Sequence, residues 1–196
     1  MWLRRALALT ILTAWAGEYL ADVVLGIWSV RYDLPLQLTD AMSLVSAFAL
    51  WTQISWAIEL AYLWAMTASL QAVLTPDLAY AFPSVFYFTY YTYHCGAIVA
   101  ACLLVFGERR RIAPRGVARA YLAALAWACV AGAGDLLTGG NYMYLRAKPE
   151  HVSLLNAMGA WPWYVLETAL VLAPALLWLA WAVAAVAQRL DPAPAP

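Results

Sequence analysis

Of the two histidines in this 196-residue chain, one, His94, sits inside the apolar run "FYFTYYTYHCGAIVA". Histidine is the side chain whose unperturbed pKa lies nearest neutrality, so it is the first candidate for general acid–base work. On a helix, positions three, four and seven apart return to one side, which sets Tyr87, Tyr90 and Tyr91 on the stripe that carries His94. Glu18 and Asp22 are four apart and share a face. Asp40, Glu59, Asp135 and Glu167 interrupt other apolar segments. An ionised carboxylate at the centre of a bilayer costs roughly 2.5–3.5 kcal/mol even on the mildest scale. Such acids must be neutral, paired, or turned toward a wet cavity.

The elements that would position them are membrane helices. The chain is 66% hydrophobic and 11% charged, against roughly 25% charge in an ordinary soluble domain. The expected fold is all-α, a polytopic transmembrane helical bundle in a single domain, 1–190. Its six spans are expected at about 6–28, 36–53, 56–74, 84–106, 117–138 and 163–187. The run 36–74 would measure roughly 57 Å as one helix, so it must turn, and the polar Thr52–Ser55 is the place for it. The tail "DPAPAP", 191–196, is expected to be disordered. Three cysteines in apolar runs, without CxxC spacing, point to neither a disulfide framework nor a metal site. No cofactor and no nucleic acid is indicated, and the sequence names no protein partner.

Basic residues set the orientation. "GERRRIAPRG" (107–116) belongs in the cytoplasm, which brings Arg4, Arg5 and Arg189 to the same side. Eight of the 11 basic residues then lie inside, leaving Arg31, Arg146 and Lys148 outside; an unbroken 36–74 would give a less biased seven against four. Both termini are then cytoplasmic. The arginine- and alanine-rich composition fits a multi-pass protein of a bacterial cytoplasmic membrane. The start "MWLRRALALTILTAWAG" mimics a signal peptide, but its apolar run continues to about Val30, as an uncleaved helix would.

That topology puts Asp22, Asp40, Asp135 and Glu167 in the outer half, Glu18 and His94 near the middle, and Glu59 toward the inside. A polar chamber open to the non-cytoplasmic face follows, lined by Glu18, Asp22, Thr39, Asp40, His94 with its tyrosines, Asp135 and Glu167. Each residue also has a plainer role. Intramembrane polar pairs serve as interhelical hydrogen bonds worth about 0.6 kcal/mol, His94 could be a strut of that kind, and His151 a solvated loop residue.

In chain order the sequence carries "LPLQLTD" (34–40), "LTPDL" (74–78), the aromatic helix with His94, "GNYMYLRAKP" (140–149) and "SLLNAMGAWPWY" (153–164). This pattern, over about 34–165, resembles the YwaF-like integral membrane protein family of bacteria. That family is in turn similar to a eukaryotic transmembrane acyltransferase acting on ether phospholipids. More distantly, it is similar to the androgen-induced membrane hydrolases. The resemblance implies a nucleophile at Thr39 and a histidine partner at His94. The bacterial pattern is expected to read "LPLHLC", with His and Cys where this chain has Gln37 and Thr39; a threonine nucleophile matches the hydrolases in kind.

On that resemblance the chemistry is acyl-ester transfer or hydrolysis on a membrane lipid. Thr39 attacks, and His94 takes and returns the proton. Asp40, Asp135, Tyr90 or Tyr91 holds the imidazole, and Gln37 supports the site. Asn141, Tyr142 or backbone amides near Thr39 steady an oxyanion. Arg146 and Lys148 hold a phosphate or carboxylate head group, and Asp77 belongs to the neighbouring loop motif "LTPDL". Two other classes stay open: a catalytically silent lipid binder or scaffold, and a transporter of protons or small solutes.

Overall fold

Backbone polar groups in hydrocarbon must be satisfied within their own segment, which leaves helices or closed barrels; here helices form. The computed structural model describes residues 1–190, so the tail expected to be disordered lies outside the described residues. Helix α1 spans Trp2–Val24, α2 Leu38–Thr52, α3 Ser55–Leu74, α4 Val85–Gly107, α5 Pro114–Thr138 and α6 Trp163–Leu190. Five of them are long and apolar enough to cross a membrane, and α2, with 15 residues, is shorter. No strand occurs among the described residues. Helices α3, α4 and α6 each contain a π-helical turn, at Ala65–Ser69, Leu103–Gly107 and Thr168–Leu172.

Local chemistry sets the ends. The break between α2 and α3 falls at Gln53, which adopts a left-handed φ of 60° and donates its side-chain amide to Ala49 O at 3.1 Å. Pro114 starts α5, where its missing N–H costs nothing, and Gly139, at φ 73°, ends it. Helix α1 stops at Val24, earlier than the hydropathy alone implies, because Gly26 turns the chain at φ 70°.

Helix α1 packs on α4 and α2, α2 on α3, α3 on α5, and α5 on α6. Small residues permit the close approach of α1 and α4: a Cβ at Gly96 would lie 2.9 Å from Ile11 Cγ1. Close contact of this kind replaces the hydrophobic driving force that lipid does not supply.

The two ends of the bundle are tied differently. At one end Arg4 meets Glu108 at 3.1 Å, and Arg110 donates to Gln53 O at 2.8 Å. Just inside, Glu59 is buried, pairs with Arg119 and accepts from Ala113 N at 3.4 Å. At the other end the Tyr142 hydroxyl donates to Val30 O at 2.7 Å and accepts from Leu34 N at 3.0 Å. Tyr144 donates to Asp77 Oδ2 at 3.0 Å, and Tyr164 donates to Tyr144 O. The loops 25–37, 75–84 and 139–162 are thereby joined into one cap.

One feature of this cap places the site. The carbonyls of Leu36 and Gln37 accept the Trp127 indole N–H at 3.1 and 3.2 Å. Trp127 is at the middle of the 25-residue α5. The "LPLQ" segment therefore dips into the bundle before α2 begins, which is why α2 is short. Non-helical backbone at that depth is tolerated where protein covers it.

Candidate functional site in the cavity beneath the loop cap

A cavity of about 610 Å³ opens among the helices under the cap. Its polar lining includes Glu18 and Asp22 from α1, Gln37, Thr39 and Asp40 at the start of α2, and His94 from α4. Apolar walls come from Leu38, Phe86, Leu172, Leu176 and Leu177, and from Leu154 and Leu155 of the cap. Five carboxyl residues line it (Glu18, Asp22, Asp33, Asp40 and Asp77), and no lysine or arginine does among the described residues.

Thr39 and His94 start from different depths in their own segments, and the inward dip of "LPLQ" brings both onto this one cavity. Thr39 is half-buried, and His94 is 2% exposed. No hydrogen bond joins the two. The imidazole is held by Ser69, whose Oγ lies 3.1 Å from Nδ1, and not by Asp40, Asp135 or a tyrosine. The rings of Tyr90 and Tyr93 flank it, at centroid distances of 4.3 and 4.5 Å. The Tyr90 hydroxyl is spent on Ala72 O at 2.9 Å. Tyr91 packs on Tyr87 with tilted rings 4.8 Å apart and does not line the cavity. No hydrogen bond to His94 Nε2 is found among the described residues, and His94 lines the cavity.

Asp40 is anchored by three donors: Trp15 Nε1 at 2.9 Å, Tyr19 OH at 2.7 Å and Gln37 N at 2.8 Å. It seats the first turn of α2, and with it Thr39, against α1. Gln37 accepts from Met143 N at 2.8 Å through its side-chain oxygen, tying this turn to the cap. Glu18 accepts from Thr89 Oγ1 at 3.1 Å, and Asp22 is 9% exposed and has no side-chain hydrogen bond.

Several expected site residues serve elsewhere. Asp135 lies outside the cavity lining; its Oδ1 accepts from Tyr142 N, which holds the 139–146 loop on α5. Glu167 is also off the cavity and accepts from Gly159 N at 3.0 Å, closing the turn before α6. Asn141 accepts from Arg146 N and Ala147 N at 2.9 and 3.0 Å, an intraloop brace. Tyr142 is committed to Val30 and Leu34. Arg146 donates to Gly140 O at 3.3 Å, Lys148 donates to Met158 O at 2.9 Å, and neither lines the cavity.

Asp77 does line the cavity and is clasped from the cap. His151 approaches its Oδ1 through the backbone N–H at 3.1 Å and through Nδ1 at 2.7 Å, and Tyr144 donates to Oδ2. Burial alone would raise this carboxyl, but the hydrogen bonds from His151 and Tyr144 outweigh it and hold it below its usual 3.8. Burial and the Asp77 charge push the Tyr144 hydroxyl up, which keeps it a donor. His151 is thus a structural partner, not merely a solvated one.

Ser69 and Tyr93 contact His94, and the sequence singles out neither. The only signal for Ser69 is its place in the weakly polar stretch "MTASLQ" of an otherwise apolar helix.

Apolar helices around a loop-capped cavity define a multi-pass membrane protein. The chain belongs to the TMEM164 family, a transmembrane family that it matches over residues 1–180. No curated protein and no solved structure matches it.

Proposed function

We propose that the chain acts on a membrane lipid in this cavity, by acyl-ester transfer or hydrolysis, with Thr39 as nucleophile and His94 as base. One observation carries the reading: Thr39 and His94, from different helices, line one cavity that also has apolar wall residues such as Leu38, Leu172, Leu176 and Leu177. In the step proposed, Nε2 takes the Thr39 proton as Oγ1 bonds to the ester carbonyl carbon. The carbon–oxygen bond to the leaving alcohol then breaks, and that oxygen takes the proton back. Water or a second lipid hydroxyl, deprotonated at the same nitrogen, bonds to the acyl carbon, the bond from that carbon to Thr39 Oγ1 breaks, and Oγ1 takes the proton back from Nε2. The first amides of α2, at Leu38 and Thr39, lack intrahelical acceptors and supply oxyanion donors in place of Asn141 and Tyr142, which are engaged in the loop.

The YwaF-like relatives and a bacterial cytoplasmic membrane belong to this proposal, as does an outward-facing cavity with the arginine-rich end and both termini in the cytoplasm. A second reading, a catalytically silent lipid binder, is favoured by the missing hydrogen bond between Thr39 and His94. A transporter fits less well, because the Glu59–Arg119 pair occupies the opposite end and a crossing path would have to open there. The test is acyl transfer from a labelled phospholipid in nanodiscs, compared among wild type, Thr39→Ala and His94→Ala. Turnover lost in both variants supports the enzyme; lipid retention without turnover supports the binder.

A further inference from the structure

The helical hydroxyls of this chain mostly bond back into their own helix. Thr10, Thr13, Ser43, Thr52, Thr67 and Thr138 each donate to the carbonyl four residues earlier, the usual way to satisfy such a group in an apolar surrounding. Ser69 is fully buried and makes no such bond. Its Oγ lies between His94 Nδ1, at 3.1 Å, and Met42 Sδ, at 3.4 Å. It ends the π-helical turn Ala65–Ser69, a distortion that re-aims side chains and is frequent at functional sites.

We propose that Ser69 is the positioning residue for His94: it accepts from Nδ1–H, sends its own hydrogen to Met42 Sδ, and so leaves the Nε2 lone pair facing the cavity. The hydroxyl has one hydrogen and two candidate acceptors. Sent to Nδ1, it would satisfy one contact and put an Nε2–H donor into the cavity with no protein acceptor. Sent to Met42, it leaves Oγ free to accept from Nδ1–H, and every polar hydrogen of the chain Nδ1–Oγ–Sδ has a partner. The bond made by one ring nitrogen decides what the other can do. A base toward Thr39 needs this tautomer, and the inference rests on the proposed function for that consequence alone. Ser69 is not itself the nucleophile, because it is 0% exposed and lies behind the imidazole, off the cavity lining.

The test is nitrogen NMR on full-length protein carrying 15N-histidine in lipid bilayers, in a His151→Gln background so that His94 gives the only ring signals. The expected result is a protonated Nδ1 and a bare Nε2. Ser69→Ala should move the proton to Nε2 in a large part of the population, Ser69→Thr should restore the original pattern, and Met42→Leu, which keeps the volume, should shift it partly. An Nε2-protonated ring in the wild type would overturn the proposal. So would an unchanged tautomer in a folded Ser69→Ala protein. A tautomer that follows Ser69 in a protein without acyl turnover would keep this inference and remove the proposed function.

Discussion

His94 Nδ1 and Ser69 Oγ stand 3.1 Å apart at the back of the cavity, and no carboxylate takes part. The nearest conspicuous acid in sequence to Thr39, Asp40, faces α1 instead. The imidazole is thus oriented by a neutral hydroxyl, while the acid beside Thr39 builds the platform that presents it. The consequences separate residues that hold the site from residues that would act in it.

Asp40 seats the start of α2. Replacing it by alanine strips the acceptor from Trp15, Tyr19 and Gln37 N at once. The expected loss is about 2–4 kcal/mol, since each buried donor left unpaired costs about 1–3 kcal/mol and part is recovered by rearrangement. Asp40→Asn, which keeps one acceptor oxygen, should lose less. Thermal unfolding in detergent, with a fluorescence shift of the freed Trp15, checks the order.

Asp77 should stay ionised well below neutral pH. Its carboxyl is held below 3.8, so its contribution is fully present above that value and is lost as pH falls through the lowered folded value. Asp77→Asn should therefore melt lower than wild type at neutral pH, and the Asp77 part of the gap should be lost in strong acid. A melting series across pH for both proteins measures this directly.

At the opposite end, Glu59 and Arg119 form a pair whose carboxylate side chain is 5% exposed and whose guanidinium is 40% exposed. Glu59→Gln is expected to cost about 2–3 kcal/mol, less than a fully buried pair, because water reaches the arginine. Gly116→Ala should destabilise too, as its Cβ would lie 2.9 Å from Glu59 Cδ. Neither change should alter ligand binding in the cavity, as a binding titration on the folded variants would show.

A cavity with carboxyl side chains and no cation among its lining should discriminate against anionic ligands. Asp22, whose side chain makes no hydrogen bond among the described residues, is the residue to change. Asp22→Asn should improve binding of a fluorescent fatty acid by about fivefold, equivalent to about 1 kcal/mol, and leave a zwitterionic lysolipid nearly unaffected.

Much of the architecture was legible because membrane helices are written in hydropathy. The apolar segments, and the polar "TQIS" between 36–53 and 56–74, marked where the helices and the turn lie. The cavity was legible only in part. Glu18, Asp22, Gln37, Thr39, Asp40 and His94 do meet on it, but Asp135 and Glu167 do not. A carboxyl near a helix end looks the same in sequence whether it faces a cavity or accepts from a loop amide, and here Tyr142 N and Gly159 N take those two. Tyr90 of the tyrosine stripe flanks the imidazole, but helical spacing does not settle the others: at about 100° per residue, Tyr91 shares the His94 face yet turns onto Tyr87, while Tyr93, a quarter-turn away, reaches the imidazole by its size. Ser69 was invisible because its partner comes from another helix and no local spacing encodes the packing of α3 on α4.

The most direct test of acyl chemistry at Thr39 is covalent capture. Purified protein in mixed-lipid nanodiscs is treated with a lipid fluorophosphonate, and the adduct is located by mass spectrometry in wild type, Thr39→Ala and His94→Ala. The expected result is one adduct on Thr39, absent from both variants while their melting temperatures stay close to wild type. An adduct elsewhere that survives both substitutions, or no adduct in a wild-type protein that still binds lipid, would contradict the Thr39–His94 assignment.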